Sequence, residues 1–232
     1  MYVWLEGFIR AFERSLDIQV LPEQIEMEIE ALEGERRCHP LDISLLMKLG
    51  VKYLQVKKYD KAAECFRLVR GQDPGGRTAP RAIFFEGLAY LLRGKTDEAL
   101  EIFRECRRKG QDNYRTRLMS AVCNYLLRDS DQAYRELERA ERMERERSAG
   151  KGTARLCRAL FLENDRRYDE AKTLYRDIIN EKVGLGELAR ERLTVIEKRD
   201  RETERLRKKA RMFKPLHLGA GKEGESIRFE GE

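Results

Sequence analysis

Residues 42–74, DISLLMKLGVKYLQVKKYDKAAECFRLVRGQDP, decide the fold. Two stretches of helical periodicity flank the polar break Lys57-Lys58-Tyr59-Asp60. Leu46, Leu49, Gly50 and Tyr53 share one face of the first, and Ala62, Phe66 and Val69 share one face of the second. Two amphipathic helices of about 14 residues each cannot bury their apolar faces alone, so the unit requires neighbours of its own kind.

Those neighbours follow in the chain. PRAIFFEGLAYLLRGKTDEALEIFRECRRKG (80–110) places Gly87, Tyr90, Ala99 and Phe103 where the first unit has Gly50, Tyr53, Ala62 and Phe66. YRTRLMSAVCNYLLRDSDQAYRELERAERM (114–143) keeps Ala133 and Ala140, and TARLCRALFLENDRRYDEAKTLYRDIIN (153–180) carries Tyr168-Asp169-Glu170-Ala171. The second-helix alanines Ala62, Ala99, Ala133 and Ala171 lie 37, 34 and 38 residues apart. The extra residues fall in the links, at Gly75–Thr78 and Ser148–Gly152, where they leave the packed faces intact.

Composition agrees with a helical array. Charged residues are 39% of the 232-residue chain, which suits exposed helix faces, and 41% hydrophobic residues suffice for a continuous core. Cys38, Cys65, Cys106, Cys123 and Cys157 are odd in number and lack CxxC spacing, so they read as small apolar residues in a reducing compartment. No apolar run approaches the roughly 18 residues that span a bilayer. The expectation is a soluble, cytoplasmic protein.

The flanks differ from the repeats. In residues 1–39, Trp4, Phe8, Phe12 and Leu16 recur every four positions and predict a helix over about 2–16. The stretch DIQVLPEQIEMEIEALEGE reads two ways. Ile25, Met27, Ile29 and Ala31 alternate as in a strand, while Pro22 followed by Ile25, Ile29 and Leu32 fits a helix, the reading favoured here. Beyond the repeats, Leu185, Leu188, Ala189, Leu193 and Ile196 line one face of a further helix over 185–213. Its end carries Arg205, Arg207, Lys208, Lys209 and Arg211, with Lys214 just beyond. Residues 214–232 are rich in glycine and charge and are expected to be disordered.

A helical hairpin of this length, with Leu46, Leu49, Gly50, Tyr53, Ala62, Phe66 and Pro74 at defined places, resembles the tetratricopeptide repeat (TPR). The second unit matches at Gly87, Tyr90, Ala99 and Phe103. In the third, Arg117, Ser120 and Asn124 fall on apolar signature positions, and a shift of one residue would put Leu118, Ala121 and Tyr125 there instead. The resemblance implies an all-α, right-handed superhelical solenoid of about four hairpins (42–75, 80–112, 113–147 and 152–182). The N-terminal helix extends it at one end and the C-terminal helix caps it at the other.

It also implies a concave groove lined by the first helix of each hairpin. Carried onto this chain, the lining is Met47, Val51 and Leu54; Arg81, Phe84, Phe85, Leu88 and Leu91; Arg115, Leu118, Met119, Val122 and Tyr125; and Leu156 and Leu160. The lining is apolar, with Arg81 and Arg115 as its cations. An apolar strip of this size requires cover. Either a partner's amphipathic or apolar segment fills it, or the chain's own Trp4, Phe8 and Phe12 do so as a lid.

Little else suggests chemistry. Gly219-Ala220-Gly221-Lys222 and Gly150-Lys151-Gly152-Thr153 both lack the full phosphate-loop spacing and its strand–helix context. His39 and His217 have no nucleophile in a recognisable local motif, and runs such as RELERAERMERER (135–147) read as solvated helix faces. No catalytic residue, metal or cofactor is expected. The function expected is a protein-interaction scaffold; the alternative is nucleic-acid or anionic-surface binding through Arg205, Arg207, Lys208, Lys209, Arg211 and Lys214.

Overall fold

The computed structural model describes residues 22–146, 152–181 and 185–212, which form ten helices and no strand. The chain divides into two units, Met1–Leu193 and Thr194–Glu232. The helix expected over residues 2–16, Lys214 and the tail expected over 214–232 lie outside the described residues.

In the first unit α1 is Pro22–Cys38. Ile25 and Ile29 are buried while Met27 is 73% exposed, the pattern of a helix and not of an alternating strand. Four helix pairs follow: α2 (Ile43–Gln55) with α3 (Tyr59–Gln72), α4 (Ala79–Leu92) with α5 (Thr96–Arg108), α6 (Tyr114–Leu126) with α7 (Ser130–Glu146), and α8 (Thr153–Asn164) with α9 (Tyr168–Asn180). Each helix from α1 to α8 packs on the next, and the first helices α2, α4, α6 and α8 also touch in succession. This is an α-α solenoid of hairpins. The last helix is α10, Gly186–Met212, and in the second unit residues 194–212 are helical.

Every hairpin turns by the same device. Lys57, Gly94, Arg128 and Arg166 have φ of 60°, 87°, 68° and 62°, the left-handed conformation that ends a helix. The next N–H in each case donates back to a first-helix carbonyl: Lys58 to Tyr53, Lys95 to Tyr90, Asp129 to Asn124 and Arg167 to Leu162, at 2.8–2.9 Å. These acceptors keep the spacing of the repeat alanines, so Asn124 is the structural equivalent of Tyr53. The third hairpin therefore needs no shift of register. Arg117 and Ser120 stand where the first hairpin has Leu46 and Leu49.

Close approach of the paired helices depends on glycine in the first two hairpins. A Cβ on Gly50 would lie 2.7 Å from the Phe66 ring, and one on Gly87 would lie 2.8 Å from Phe103. In the later hairpins the equivalent residues are Ala121 opposite Leu137 and Ala159 opposite Tyr175, all fully buried.

Where the repeat loses apolar residues, ion pairs replace them. Glu86, at the level of Leu49, meets Arg70 at 3.3 Å, and Arg70 also holds Glu105 at 2.9 Å. Arg117 meets Glu136 at 2.9 Å, and Arg107 joins the same carboxylate at 3.0 Å. Arg155 pairs with Glu181, and Arg158 lies 3.5 Å from Glu141. The run over 135–147 is thus not a wholly solvated face: Glu136, Glu141 and Glu144 are buried. Glu144 accepts from the N–H groups of Thr153 and Ala154 at 2.9 and 3.1 Å, satisfying donors at the start of α8 that no helical carbonyl reaches.

Candidate functional site

The first helices of the second, third and fourth hairpins bury most of their residues. α6 is packed by α4, α5, α7 and α8, and nine of its thirteen residues are buried. This corrects part of the expected groove. Leu118, Met119, Val122, Leu156 and Leu160 have 1% or less of their surface exposed and belong to the core. Met47, Phe85, Leu88, Leu91 and Tyr125 are also buried. Tyr125 is held on all sides: its ring stacks on Phe161 with centroids 3.8 Å apart, its hydroxyl donates to Asp165, and the hydroxyl oxygen accepts from Asn164 at 2.8 Å. Val51, Leu54 and Phe84 are half-buried, and Arg81 and Arg115 are exposed.

Five of the expected lining residues meet around one cavity of about 500 Å³. Val51 of α2, Arg81, Phe84 and Phe85 of α4, and Arg115 of α6 form part of its wall, with Pro80, Cys106, Gln111, Asn113 and Thr116 completing it. Aromatic stacking fixes the apolar part. Phe85 lies on Phe66 at 5.4 Å, Phe84 meets Phe85 edge-on at 5.7 Å, and Phe84 lies 5.8 Å from Phe103.

The polar part of the wall is occupied with itself. The Asn113 side chain accepts from the N–H groups of Arg115 and Thr116 at 3.0 and 3.2 Å, and the Asn113 N–H donates to the Thr116 hydroxyl, closing a capping box. That hydroxyl donates to the Gln111 carbonyl at 2.7 Å. The Cys106 thiol, 3.5 Å from the Pro80 carbonyl, is pushed up to about 11 by burial and stays protonated near neutrality. These wall residues were not expected from the repeat pattern, although Asn113 followed three residues later by Thr116 is a readable helix-start signal.

The rim is where charge is available. The Arg81 guanidinium stands 5.5 Å from the Phe85 ring centre, and the Arg115 guanidinium rests beside Tyr114 while donating to its hydroxyl at 3.0 Å. Both side chains are braced by aromatic neighbours yet open to solvent. An apolar pocket edged by two cations can hold an apolar side chain next to a carboxylate. It offers no acid–base pair. Among the described residues no cluster of His, Cys, Asp and Glu could hold a metal ion, and no helix is long and apolar enough to cross a membrane.

Two further sets of expected residues stand apart from this cavity. Arg205, Arg207, Lys208, Lys209 and Arg211 lie on α10 and are all exposed. Trp4, Phe8 and Phe12, the expected lid, lie outside the described residues.

No protein-family model matches the sequence, and no curated protein matches it. Solved structures do. The fold is similar to that of a TPR protein of Thermus thermophilus, with TM-score 0.61 and 17% identity over 83% of this chain and 96% of that one. It is similar to a TPR protein of Parabacteroides merdae, with TM-score 0.59 and 18% identity over 90% and 81% of the two chains. A third likeness is to BtubC of P. vanneervenii, with TM-score 0.55 and 11% identity over 91% and 97%. Together with the hairpin geometry, these define the class: the fold is that of the tetratricopeptide-repeat proteins.

Proposed function

We propose that the chain is a non-enzymatic protein-interaction scaffold, an adaptor, co-chaperone or assembly factor of the cytoplasm. It holds a partner peptide in the cavity between the first helices of its first three hairpins. The occupant is an apolar side chain adjoining an acidic residue. The observation that carries this reading is the cavity itself: an apolar floor of Val51, Phe84 and Phe85 edged by the exposed guanidiniums of Arg81 and Arg115. Apolar contact supplies affinity, and the charge pair sets orientation.

Peptides selected from a random library on the intact chain test this reading. They should be enriched in an apolar–acidic pair, and Arg81→Ala with Arg115→Ala should weaken them about tenfold, since both residues are exposed and their loss leaves the core intact. Selection of peptides without an acidic residue would defeat the proposal. Tighter peptide binding by a Trp4→Ala, Phe8→Ala variant would show that the chain's own first segment competes for the cavity.

A further inference from the structure

Residues 205–211, RLRKKAR, carry five cations and no acid. Every residue of the segment is exposed. Lys208 pairs with Glu204 at 2.9 Å, but among the described residues no carboxylate pairs with Arg205, Arg207, Lys209 or Arg211. Elsewhere Arg70, Arg107, Arg117, Arg155 and Arg192 are each neutralised by a carboxylate. Among the described residues, the charge of this segment is not neutralised in that way.

The distribution of that charge identifies its chemistry. At about 100° per residue, and counting from Arg205 at zero, Lys209 falls at about 40°, Arg207 at about 200°, Arg211 at about 240° and Lys208 at about 300°. Arg205 and Lys209 therefore point away from Arg207 and Arg211. A flat anionic bilayer would meet one set and leave the other in water. It would also gain little from Leu206 and Ala210, the only apolar residues of the segment, since surface-seeking helices carry a broad apolar face. A groove with phosphates on both walls meets both sets.

We propose that residues 205–211 form a binding element for the groove of a nucleic-acid duplex, independent of the peptide cavity. A helix about 10–12 Å across with its side chains fits a major groove about 12 Å wide, with cations directed to either wall. The contacts go to phosphates, so recognition is of the duplex and not of its sequence.

The test is fluorescence anisotropy of the full chain with mixed-sequence DNA and RNA duplexes of about 20 base pairs, alongside vesicles of half phosphatidylserine. Five phosphates neutralised give a slope of log affinity on log salt of about −4.5, or about 500-fold weaker binding at 200 mM than at 50 mM salt. The variant Arg205→Gln, Arg207→Gln, Lys209→Gln, Arg211→Gln should bind at least about 30-fold more weakly at low salt and show a slope near −1. Its circular dichroism and unfolding midpoint should match the parent, because all four residues are exposed. The DNA duplex should bind more tightly, since the deep and narrow major groove of A-form RNA does not admit a helix, and preference for RNA would overturn this geometry. The proposal is overturned by equal binding of the variant, by a slope in the parent shallower than about −2, or by vesicles binding as tightly as either duplex.

Discussion

Arg117 and Glu136 meet at 2.9 Å, with 13% and 2% of their side chains exposed, at the level of the third hairpin where the first packs Leu46 and Cys65. The pair replaces an apolar contact with a charged one, and Arg107 shares the same carboxylate. Removing the carboxylate alone takes the partner from Arg107 and leaves the largely buried Arg117 with Asp112 only, so Glu136→Ala should cost about 3 kcal/mol in urea unfolding. The double change Arg117→Leu, Glu136→Leu should recover most of that loss, since an apolar pair replaces the buried charges and only the partly exposed Arg107 is left without its partner.

The same substitution explains what the sequence hid. Gly50, Tyr53, Ala62 and Phe66 announce the hairpin because close packing demands small and large residues at fixed places. The third hairpin keeps the backbone and turn but puts Arg117, Ser120 and Asn124 on the buried face, and a scan for apolar positions slips by one residue there. The shared carboxylate of Glu136 lies 19 residues from Arg117 and 29 from Arg107, separations no local pattern reveals. The apolar periodicity overstates the groove for a related reason. Periodicity shows one apolar face per helix, but α4, α6 and α8 bury more than one, so Leu118, Leu156 and Leu160 looked like lining when they are core. Arg81 and Arg115 survived as rim residues because charge has to stay near water.

Gly50→Ala should destabilise the fold despite the higher helix propensity of alanine. Its Cβ would fall 2.7 Å from the Phe66 ring, and that ring is fully buried and stacked on Phe85, so it cannot swing aside cheaply. Overpacking of this kind costs about 1–3 kcal/mol. The double variant with Phe66→Leu should show a smaller loss than the two single losses added together; strict additivity in a denaturant cycle would refute the contact.

Arg166→Gly should stabilise. Arg166 adopts φ 62° at the turn of the fourth hairpin, where the second has Gly94 at φ 87°. Left-handed backbone strains any residue with a Cβ, and the exposed Arg166 side chain gives little in return. A gain of about 0.5–1 kcal/mol is expected, with the reverse sign for Gly94→Arg. Thermal unfolding of both variants reads this directly.

Glu86 gives the stability a pH dependence of known sign. Burial pushes its carboxyl above the ordinary value of 4.5, and Arg70 opposes this only in part. A raised carboxyl favours the fold while protonated, and that contribution disappears as pH rises through its folded-state value. Glu86→Gln mimics the protonated form at every pH. The parent should therefore lose stability relative to the variant as pH rises from about 4.5 through the raised folded-state value. A difference that stays flat over this range, measured by urea unfolding, would show that Arg70 compensates the charge fully.

The cysteines report on the integrity of the stack. Cys38 is exposed, whereas Cys65, Cys106, Cys123 and Cys157 are buried between helices. Burial holds the thiols of Cys65 and Cys106 up to about 11 and raises those of Cys123 and Cys157 as well, so few thiolates exist there to react. With an aromatic disulfide reagent at about pH 8, one thiol in five should react within seconds and the other four only as fast as the fold opens. Glu136→Ala should accelerate the slow class by roughly the factor its stability loss predicts, about 100-fold for about 3 kcal/mol if opening is global. A Cys123 rate that stays at the parent value would mean that the Arg117–Glu136 pair does not hold the third hairpin closed.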